Sequence, residues 1–296
     1  MDNLSKIFLN TSKFALEARK IFGIPLKQEN KTNNYDIGII TATAEEFNSI
    51  VSLIDNCDEL NESFNDSIIY YYGTINTNSG LKSIIIPYPI SMGVEASVST
   101  TSKMLSNFKF NYVFMVGICA GNKNVTNIGD VIVAEKSLNY NEIVEVQRQD
   151  KGTRKKFRQN ADSIDRNLKA RLSLFSKKID FKKFKSEYIE SGIFNNPLKC
   201  HIGLLVSGSS LLRSDKKIKE INEDYHGIKG MDMETNGFYF TLSHSRKELQ
   251  PKFVSIKSVS DFGDSTTHKA SGEKRKKYAL YTASATLFDF IKNHLK

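Results

Sequence analysis

Strand-like and helical patterns alternate along most of this 296-residue chain, and that alternation constrains its fold more than any other feature. Runs rich in Ile, Val, Tyr and Phe predict strands, and apolar residues at steps of three and four predict helices. Several strands are apolar throughout, as expected for strands covered on both faces. The pattern predicts an α/β fold of three layers, α/β/α, in which a central mixed β-sheet lies between helices.

The predicted strands are 35–41, 68–75, 82–87, 112–116, 130–134, 201–206 and 253–259. The predicted helices are 44–55, 94–108, 163–177, 214–224, 233–244 and 273–295. Sheets of this kind bind ligands at the carboxyl ends of their strands, so the residues that follow each strand are the candidates for a functional site.

The first 34 residues differ from the rest of the chain. Apolar residues recur at helical spacing through residues 1–22, and Gly23 and Pro25 end that pattern. We therefore predict an N-terminal amphipathic helix and linker over 1–34 and one domain over 35–296. The helix packs on its own domain or a sister subunit, or it docks to a separate partner or a membrane surface; the sequence leaves these alternatives open.

The composition is that of a soluble globular protein, with 40% hydrophobic and 25% charged residues. The three cysteines are unmatched in spacing, which argues against a disulfide framework and favours a reducing, cytoplasmic setting. No signal peptide and no run approaching roughly 18 apolar residues is found, so no membrane span is predicted. The histidines and cysteines lack metal-ligand spacing, and neither a metal nor a cofactor is predicted.

The formal charge of +9 comes largely from basic clusters at 151–156, 177–185 and 274–277. Such clusters form a solvated surface, attract the phosphate of a nucleotide, or bind nucleic acid. No zinc-finger spacing or RNA-binding aromatic motif accompanies them, so nucleic acid is not predicted as a partner.

Small and polar residues follow several strands. The segment "GICAG" at 117–121 allows close approach of backbone N–H groups to a ligand, and "SGSS" at 207–210 and "SDFGD" at 260–264 end two further strands. The glycine spacing of a dinucleotide-binding loop is absent, which disfavours dinucleotide binding.

Seven such segments occur in one order: "GIITATAEEF", "SMGVEAS", "VGICAGN", "IGDVIVAE", "LVSGSS", "GMDMET" and "SVSDFGD". Together they resemble the purine nucleoside phosphorylase and uridine phosphorylase superfamily, and within it the methylthioadenosine/S-adenosylhomocysteine nucleosidases. The chain is also similar to nucleosidase-like domains of bacterial defence effectors and multidomain fungal proteins. The resemblance implies a nucleoside phosphorylase-like fold and cleavage of the bond between ribose and a purine, and by analogy a role in nucleotide depletion during antiviral defence.

Two interpretations compete for Glu46. Thr43 and Glu46 have the spacing of a capping box, in which Thr43 is the N-cap and Glu46 reaches back to the backbone. The resemblance instead places Glu46 on the glutamate that polarises the attacking water. We predict the catalytic role, and the cap is compatible with it because Thr43 can start the helix that aims Glu46 into the pocket.

The resemblance assigns three further roles. Glu234 falls on the glutamate that accepts hydrogen bonds from the ribose 2′ and 3′ hydroxyls, and Met233 packs on the sugar. Asp261, preceded by Ser260, falls on the aspartate that donates toward purine N7, which burial of its carboxyl would favour. Asp232 stands where the family has glutamate, which leaves its role open.

Other predicted pocket residues come from turns. The resemblance places the turn with Met92 and Gly93 and the turn with Gly117 and Ile118 at the pocket. Leu211 and Leu212 stand near the place where the related nucleosidases have a base-stacking phenylalanine, and we expect one of them to pack against the base.

Water is the predicted nucleophile. Phosphorylases of the superfamily bind phosphate with arginines near these strand ends, and neither 41–47 nor 117–123 contains an arginine. A phosphate-dependent purine nucleoside phosphorylase and a non-catalytic nucleotide-sensing module are the alternatives.

The predicted partners are a small purine nucleoside or nucleotide, with adenine as the expected base, and a second copy of the chain. If the basic side chains over 154–158 face the ribose 5′ end, the substrate is a nucleotide such as AMP or ATP. Superfamily members commonly assemble as dimers or larger, so a homo-oligomer is expected.

Overall fold

The computed structural model describes residues 33–60, 64, 66–148, 152–157, 161–188, 196–209, 215–264 and 272–295, with the backbone alone over 143–148 and 152–157. The predicted N-terminal helix lies outside the described residues, and so does Leu211. The domain prediction therefore stays a prediction.

The strands are β1 (Asn33–Ile40), β2 (Asp55–Glu59), β3 (Tyr70–Thr77), β4 (Gly80–Pro87), β5 (Phe108–Gly121), β6 (Val131–Asn139), β7 (Ile143–Arg148), β8 (Gly152–Phe157), β9 (Asp162–Ser163), β10 (Cys200–Ser207), β11 (Ile228–Asp232) and β12 (Lys252–Asp261). The helices are α1 (Ala44–Val51), α2 (Val94–Asn107), α3 (Arg166–Phe175), α4 (Phe181–Glu187), α5 (Asp215–Asp224), α6 (Thr235–Ser243) and α7 (Gly272–His294), with a 3₁₀ turn at Lys247–Leu249.

One mixed sheet organises the domain. Its strands run in the order β11-β10-β6-β12-β5-β1-β4-β3-β2, with the short β9 beside β6, while β7 and β8 form a separate hairpin. The pairs of β1 with β4 and β5, of β12 with β5, and of β10 with β6 and β11 are parallel. Because β11 also pairs with β5, the strands β5, β12, β6, β10 and β11 close into a ring.

Helices cover this sheet in two groups. Helix α7 packs on β12 and β5 and contacts α1 and α3, whereas α6 packs against α2 and contacts β6, β10 and β12. The predicted α/β class with a central mixed sheet and flanking helices is therefore present. The long strand β5 contributes the centre of the core, since all residues from Tyr112 to Val116 are buried.

Several element boundaries differ from those predicted. Helix α1 ends at Val51 and not at residue 55, because Asp55 begins β2, which pairs with β3. Strand β1 begins at Asn33, inside the predicted linker, because Asn33 pairs with Phe108. The short strands β2, β9 and β11 and the hairpin β7–β8 were not predicted, since their sequences lack long apolar runs.

Aromatic rings fix α7 on the core. Phe290 is fully buried, and its ring lies 5.3 Å from that of Phe175 on α3 and 6.2 Å from that of Phe114 on β5. Aromatic pairs at these centroid separations add to the gain from burying apolar area. This contact joins the helix that covers the site to the strand that carries it.

Phe290→Ala should lower the free energy of unfolding by about 3–5 kcal/mol, because it empties a closely packed position. Urea unfolding followed by circular dichroism measures the loss. Phe240→Ala is the matched control, since Phe240 is 52% exposed and its loss should change stability by less than about 1 kcal/mol. Equal losses in the two variants would contradict the assignment of Phe290 to the core.

Candidate active site

A cavity of about 190 Å³ lies at the carboxyl ends of β1, β5, β11 and β12, beside the first turn of α1 and the second and third turns of α7. It is lined by Ala42, Thr43, Glu45, Glu46, Met92, Ile118, Cys119, Ala120, Tyr140, Met231, Asp232, Met233, Glu234, Ser260, Asp261, Lys276 and Leu280. The location agrees with the rule that α/β sheets bind ligands where their strands end.

The register of β5 brings the acidic residues together. Ala120 pairs with Asp261 of β12 on one side and with Met231 of β11 on the other. Asp232 is the next residue after Met231, and Glu234 lies two residues further on. Because Ala120 pairs with both strands, the ends of β11 and β12 lie on opposite sides of this one residue of β5. Strands far apart in sequence thus deliver their carboxylates to one place.

Glu46 is held in a capping box and also faces the cavity. Thr43 accepts a hydrogen bond from the Glu46 backbone at 3.2 Å, and Glu46 Oε2 accepts from the backbone N–H of Thr43 at 3.1 Å and of Ala42 at 2.7 Å. Glu46 Oε1 accepts from the N–H of Ile118 at 2.9 Å. The predicted cap is confirmed, and the same side chain spans from α1 to β5.

Gly117 makes room for the Glu46 carboxylate. A Cβ at position 117 would lie 2.1 Å from Glu46 Oε1, far inside van der Waals contact. Any side chain here would expel Glu46 from its position against β5. Gly117, which the sequence predicted to lie close to a ligand, therefore allows the Glu46 carboxylate to lie against β5.

Glu234 lies across the cavity floor at the start of α6 and is 6% exposed. Its Oε1 accepts a hydrogen bond from the Gly93 N–H at 3.1 Å, and its Oε2 accepts from the Met233 N–H at 3.3 Å. Gly93 has a φ of 114°, a conformation that glycine adopts readily, and it begins α2. The turn with Gly93, which was predicted to lie at the pocket, thus donates a backbone hydrogen bond to Glu234.

Asp232 anchors the start of α6. It accepts hydrogen bonds from the Ser207 hydroxyl at 2.6 Å, from the Thr235 backbone N–H at 3.2 Å and from the Thr235 hydroxyl. Asp232, which is one methylene shorter than the glutamate of the family, thus accepts hydrogen bonds from the first residue of α6. The sequence left the role of Asp232 open, and these contacts orient the segment that carries Glu234.

Lys257 was not predicted from the sequence, although it lies at the centre of the acidic group. Its side chain is 0% exposed, and Nζ lies 3.4 Å from Asp232 Oδ2 and 3.6 Å from Glu234 Oε2. Nζ has no aligned hydrogen bond among the described residues, so these are charge contacts. On β12, Lys257 pairs with Gly117 of β5, which sets the ammonium beside the space that Glu46 enters.

The charges in this group shift one another's pKa values. Burial raises the pKa of Glu234 to about 7; Lys257 opposes the rise, and the Asp232 carboxylate adds to it. Burial alone would lower the pKa of Lys257, but nearby carboxylates, first that of Asp232, raise it above its usual value. The lysine is therefore a permanent cation among acids.

Asp261 ends β12 and is half-buried. Its Oδ1 accepts a hydrogen bond from the Gly263 N–H at 2.7 Å, and the Ser260 hydroxyl lies 2.8 Å from its Oδ2. These are the contacts of a turn aspartate, and they hold the carboxyl at the wall of the cavity.

The structure brings seven of the ten predicted site residues to one cavity, whereas Gly93 and Gly117 do not line it and Leu211 lies outside the described residues. Met92, Ile118, Met233 and Ser260 line it directly. The sequence analysis did not predict Lys257, although a lone lysine inside an apolar strand is a signal. It also did not predict two lining residues, Tyr140, which follows β6 and packs over Gly208, and Lys276 on α7.

Neither a metal site nor a membrane-spanning helix is present in the described part of the chain. No group of three or more His, Cys, Asp or Glu side chains in it is arranged to hold a metal ion. No helix in it combines the length and the apolar character needed to cross a membrane.

Known proteins share the sequence and fold of this domain. The family model described as the phosphorylase superfamily matches residues 36–296, which confirms the resemblance drawn from the seven segments. A 5′-methylthioadenosine/S-adenosylhomocysteine nucleosidase of Buchnera aphidicola subsp. Schizaphis graminum is 26% identical over 237 residues, covering 78% of this chain and 87% of that protein. The uncharacterized protein y4jS of Sinorhizobium fredii is 28% identical over 205 residues, covering 68% of this chain. The match spans only 48%, about half, of the length of y4jS.

A solved structure establishes the fold independently. The crystal structure of 5′-methylthioadenosine/S-adenosylhomocysteine nucleosidase from Neisseria meningitidis in complex with methylthio-immucillin-A aligns with a TM-score of 0.66 at 18% identity. The alignment covers 87% of this chain and 99% of that one. The predicted nucleoside phosphorylase-like fold is therefore confirmed.

Lys257→Met should destabilise the protein by about 3–5 kcal/mol, because it leaves buried carboxylates without their cation. Urea unfolding at pH 7 measures the loss. Lys252→Met, in the same strand, is the matched control: Lys252 is exposed and lies over the Tyr112 ring, a contact of about 0.5–1 kcal/mol. Similar stability in the two variants would contradict the charge contacts described for Lys257.

The raised pKa of Glu234 predicts a pH dependence of stability. Between its ordinary pKa of 4.5 and about 7, the folded protein keeps a proton that the unfolded chain has released. The contribution of this group to stability is therefore greatest below pH 4.5 and is lost as the pH rises toward 7. Glu234→Gln should abolish this loss. The free energy of unfolding, measured in urea, should then change less between pH 5 and pH 7 than it does in the wild type.

Glu59→Gln, which removes an exposed carboxyl from β2, is the control for that experiment. It should follow the wild-type pH dependence. If Glu234→Gln follows it as well, the carboxyl of Glu234 does not titrate in this range.

Proposed function

The chain belongs to the phosphorylase superfamily, and on that premise we propose that it hydrolyses the N-glycosidic bond of a purine nucleoside or nucleotide and releases the free base, adenine. The observation that carries the proposal is the convergence of Glu46, Glu234 and Asp261 on one cavity. The names of the matched relatives, nucleosidases acting on adenine-containing nucleosides, support it.

Hydrolysis of this bond passes through a transition state that resembles an oxocarbenium ion. An enzyme therefore needs a group that activates water at ribose C1′, contacts that hold the sugar, and a donor for the departing base. Positive charge develops on the sugar, and fixed negative charge near it stabilises the transition state.

Glu46 is suited to orient one water molecule. An ionised carboxylate offers about four acceptor positions, and the N–H groups of Ala42, Thr43 and Ile118 occupy three of them. The remaining position can accept one proton of a water molecule. Since the carboxylate is fixed by backbone groups, it needs no rearrangement to receive the water.

Glu234 is suited to hold the ribose diol. Two of its acceptor positions are used by the N–H groups of Gly93 and Met233, which leaves about two for the 2′ and 3′ hydroxyls. Lys257 stands behind this carboxylate at 3.6 Å and favours its ionised form. The lysine thus acts as a positioning residue that keeps Glu234 an acceptor.

The cavity also has the charge that the transition state requires. Several carboxylates line it, and Lys257 lies behind them as a single buried cation, so the wall that faces the sugar keeps a negative surplus. Asp261 and Ser260, at the end of β12, would face the departing base, and Met233 would pack on the sugar. Met92 lies at the open side.

Water fits this cavity better than phosphate as the nucleophile. Among the described lining residues there is no arginine, and Glu46 would repel an anion at the position of attack. Phosphate-dependent cleavage and nucleotide sensing without turnover are retained as outcomes of the experiment that follows.

Purified protein should release free base from at least one of adenosine, methylthioadenosine, AMP and ATP, in buffer without phosphate. Glu46→Gln should lower kcat by about 10²–10⁴-fold, because an amide is a poor base for water. Chromatography of the released base provides the measurement. Glutamine preserves the capping box through its amide oxygen but cannot also accept from the Ile118 N–H, a loss of about 1–3 kcal/mol, so both proteins are assayed below the melting temperature of the variant.

Strict dependence on added phosphate would identify a phosphorylase and overturn hydrolysis. Base release from none of the substrates, with nucleotide binding retained, would favour the sensing module. Full activity of a folded Glu46→Gln variant would remove Glu46 from the mechanism.

Three further predictions from the sequence stay predictions: nucleotide depletion in antiviral defence, assembly as a homo-oligomer, and a cytoplasmic location. The hydrolysis proposed above is compatible with each of them, and none is needed for it.

A further inference from the structure

Three lining residues form the mouth of the cavity. Most of the lining side chains are buried or half-buried, whereas Glu45, Met92 and Lys276 are exposed. Met92 is 59% exposed. Any part of a substrate that extends out of the cavity must pass these three residues.

The 5′ end of the ribose is the part that reaches the mouth. The proposed function, on which this inference rests, places the sugar hydroxyls on Glu234, C1′ toward Glu46 and the base toward Asp261. Glu46, Glu234 and Asp261 line the cavity, and the proposed arrangement assigns none of them to the 5′ carbon. An anionic 5′ group has no place in the acidic interior, because like charges repel strongly where water is excluded, so it must lie at the mouth.

Lys276 is the cation at that mouth. It lies one helical turn before Leu280 on α7, and both side chains line the cavity, so this face of the helix covers the opening. No ion pair of Lys276 is present among the described residues, whereas its neighbour Lys277 pairs with Glu273 at 3.0 Å. The Lys276 ammonium is therefore available to a ligand.

We propose that Lys276 binds an anionic group on the 5′ carbon of the substrate, and that the preferred substrates are 5′-phosphorylated purine nucleosides. Of the four consecutive basic residues 274–277 on α7, Lys276 is the one that lines the cavity, so its charge is the one placed at the mouth. An ammonium is a suitable ligand for a phosphate group.

Glu45 opposes Lys276 at the same mouth. It is exposed, lies in the first turn of α1, and has no ion pair with Lys276 within 4.0 Å. Its carboxylate would repel a phosphate that Lys276 attracts. The two residues therefore set the preference for 5′ charge in opposite directions, and their variants should have opposite effects.

The test compares KM for AMP and for adenosine, measured by release of free adenine. Lys276→Ala should raise the ratio of KM for AMP to KM for adenosine by about tenfold, the value of one charge-assisted contact. Glu45→Gln should lower that ratio. Lys274→Ala is the matched control: it removes the same charge from the same helix, but Lys274 does not line the cavity, and it should keep the wild-type ratio.

Several results would overturn the inference. In one, Lys276→Ala changes both KM values equally; in another, Lys274→Ala has the same effect as Lys276→Ala, which would mean a diffuse field and no contact. Turnover of adenosine by the wild type without turnover of AMP would also overturn it while leaving the proposed hydrolysis intact.

If the wild type releases base from neither AMP nor adenosine, equilibrium binding decides the inference, while the proposed function fails only if methylthioadenosine and ATP release no base either. Calorimetric titration with AMP and with adenosine should show tighter binding of AMP by the wild type, and Lys276→Ala should remove that advantage. Equal affinities for the two compounds in the wild type would overturn the inference.

Discussion

The candidate site depends on one buried ammonium. Burying a carboxylate is costly, and the cavity brings Asp232 and Glu234 to the same buried place as Glu46. Lys257 lies within 3.4–3.6 Å of the first two and makes their burial tolerable. The same lysine lies on β12 beside Gly117, so the charge that balances the acids is part of the sheet itself. A change at Lys257 therefore alters both the charge balance of the site and the packing of the sheet.

Strand β5 explains how distant segments meet. It pairs with β1 and β12 along most of its length, and its end also pairs with β11. Three segments that are separated by many residues in sequence are therefore aligned by hydrogen bonds to one strand. The closure of the ring also limits relative movement of these strand ends, which is what a preorganised site requires.

The fold class and most of the site were predictable from the sequence, because they rest on apolar periodicity and on short segments of distinctive order. The sequence predicts Glu46 both as a cap and as the residue that activates water, and the structure forms the cap while placing the carboxylate in the cavity. The place of Lys257 was not predictable, because a lone lysine in a strand buried on both faces does not show which acids of other segments will surround it. The end of α1 was misplaced because the pairing of Asp55 with Thr74 is a long-range contact. Local patterns carry no information on such pairings.

Among the described residues β2 pairs with β3 alone, so its outer side is a margin of the ten-stranded sheet, and this has a consequence for association. A free strand edge is a template for pairing with another chain. The sequence of β2, Asp55-Asn56-Cys57-Asp58-Glu59, carries three acids in five residues, and all three are exposed. Their mutual repulsion with a second copy of the same edge disfavours edge-to-edge growth. The exposed acids of β2 therefore protect this margin against pairing with a second copy of itself.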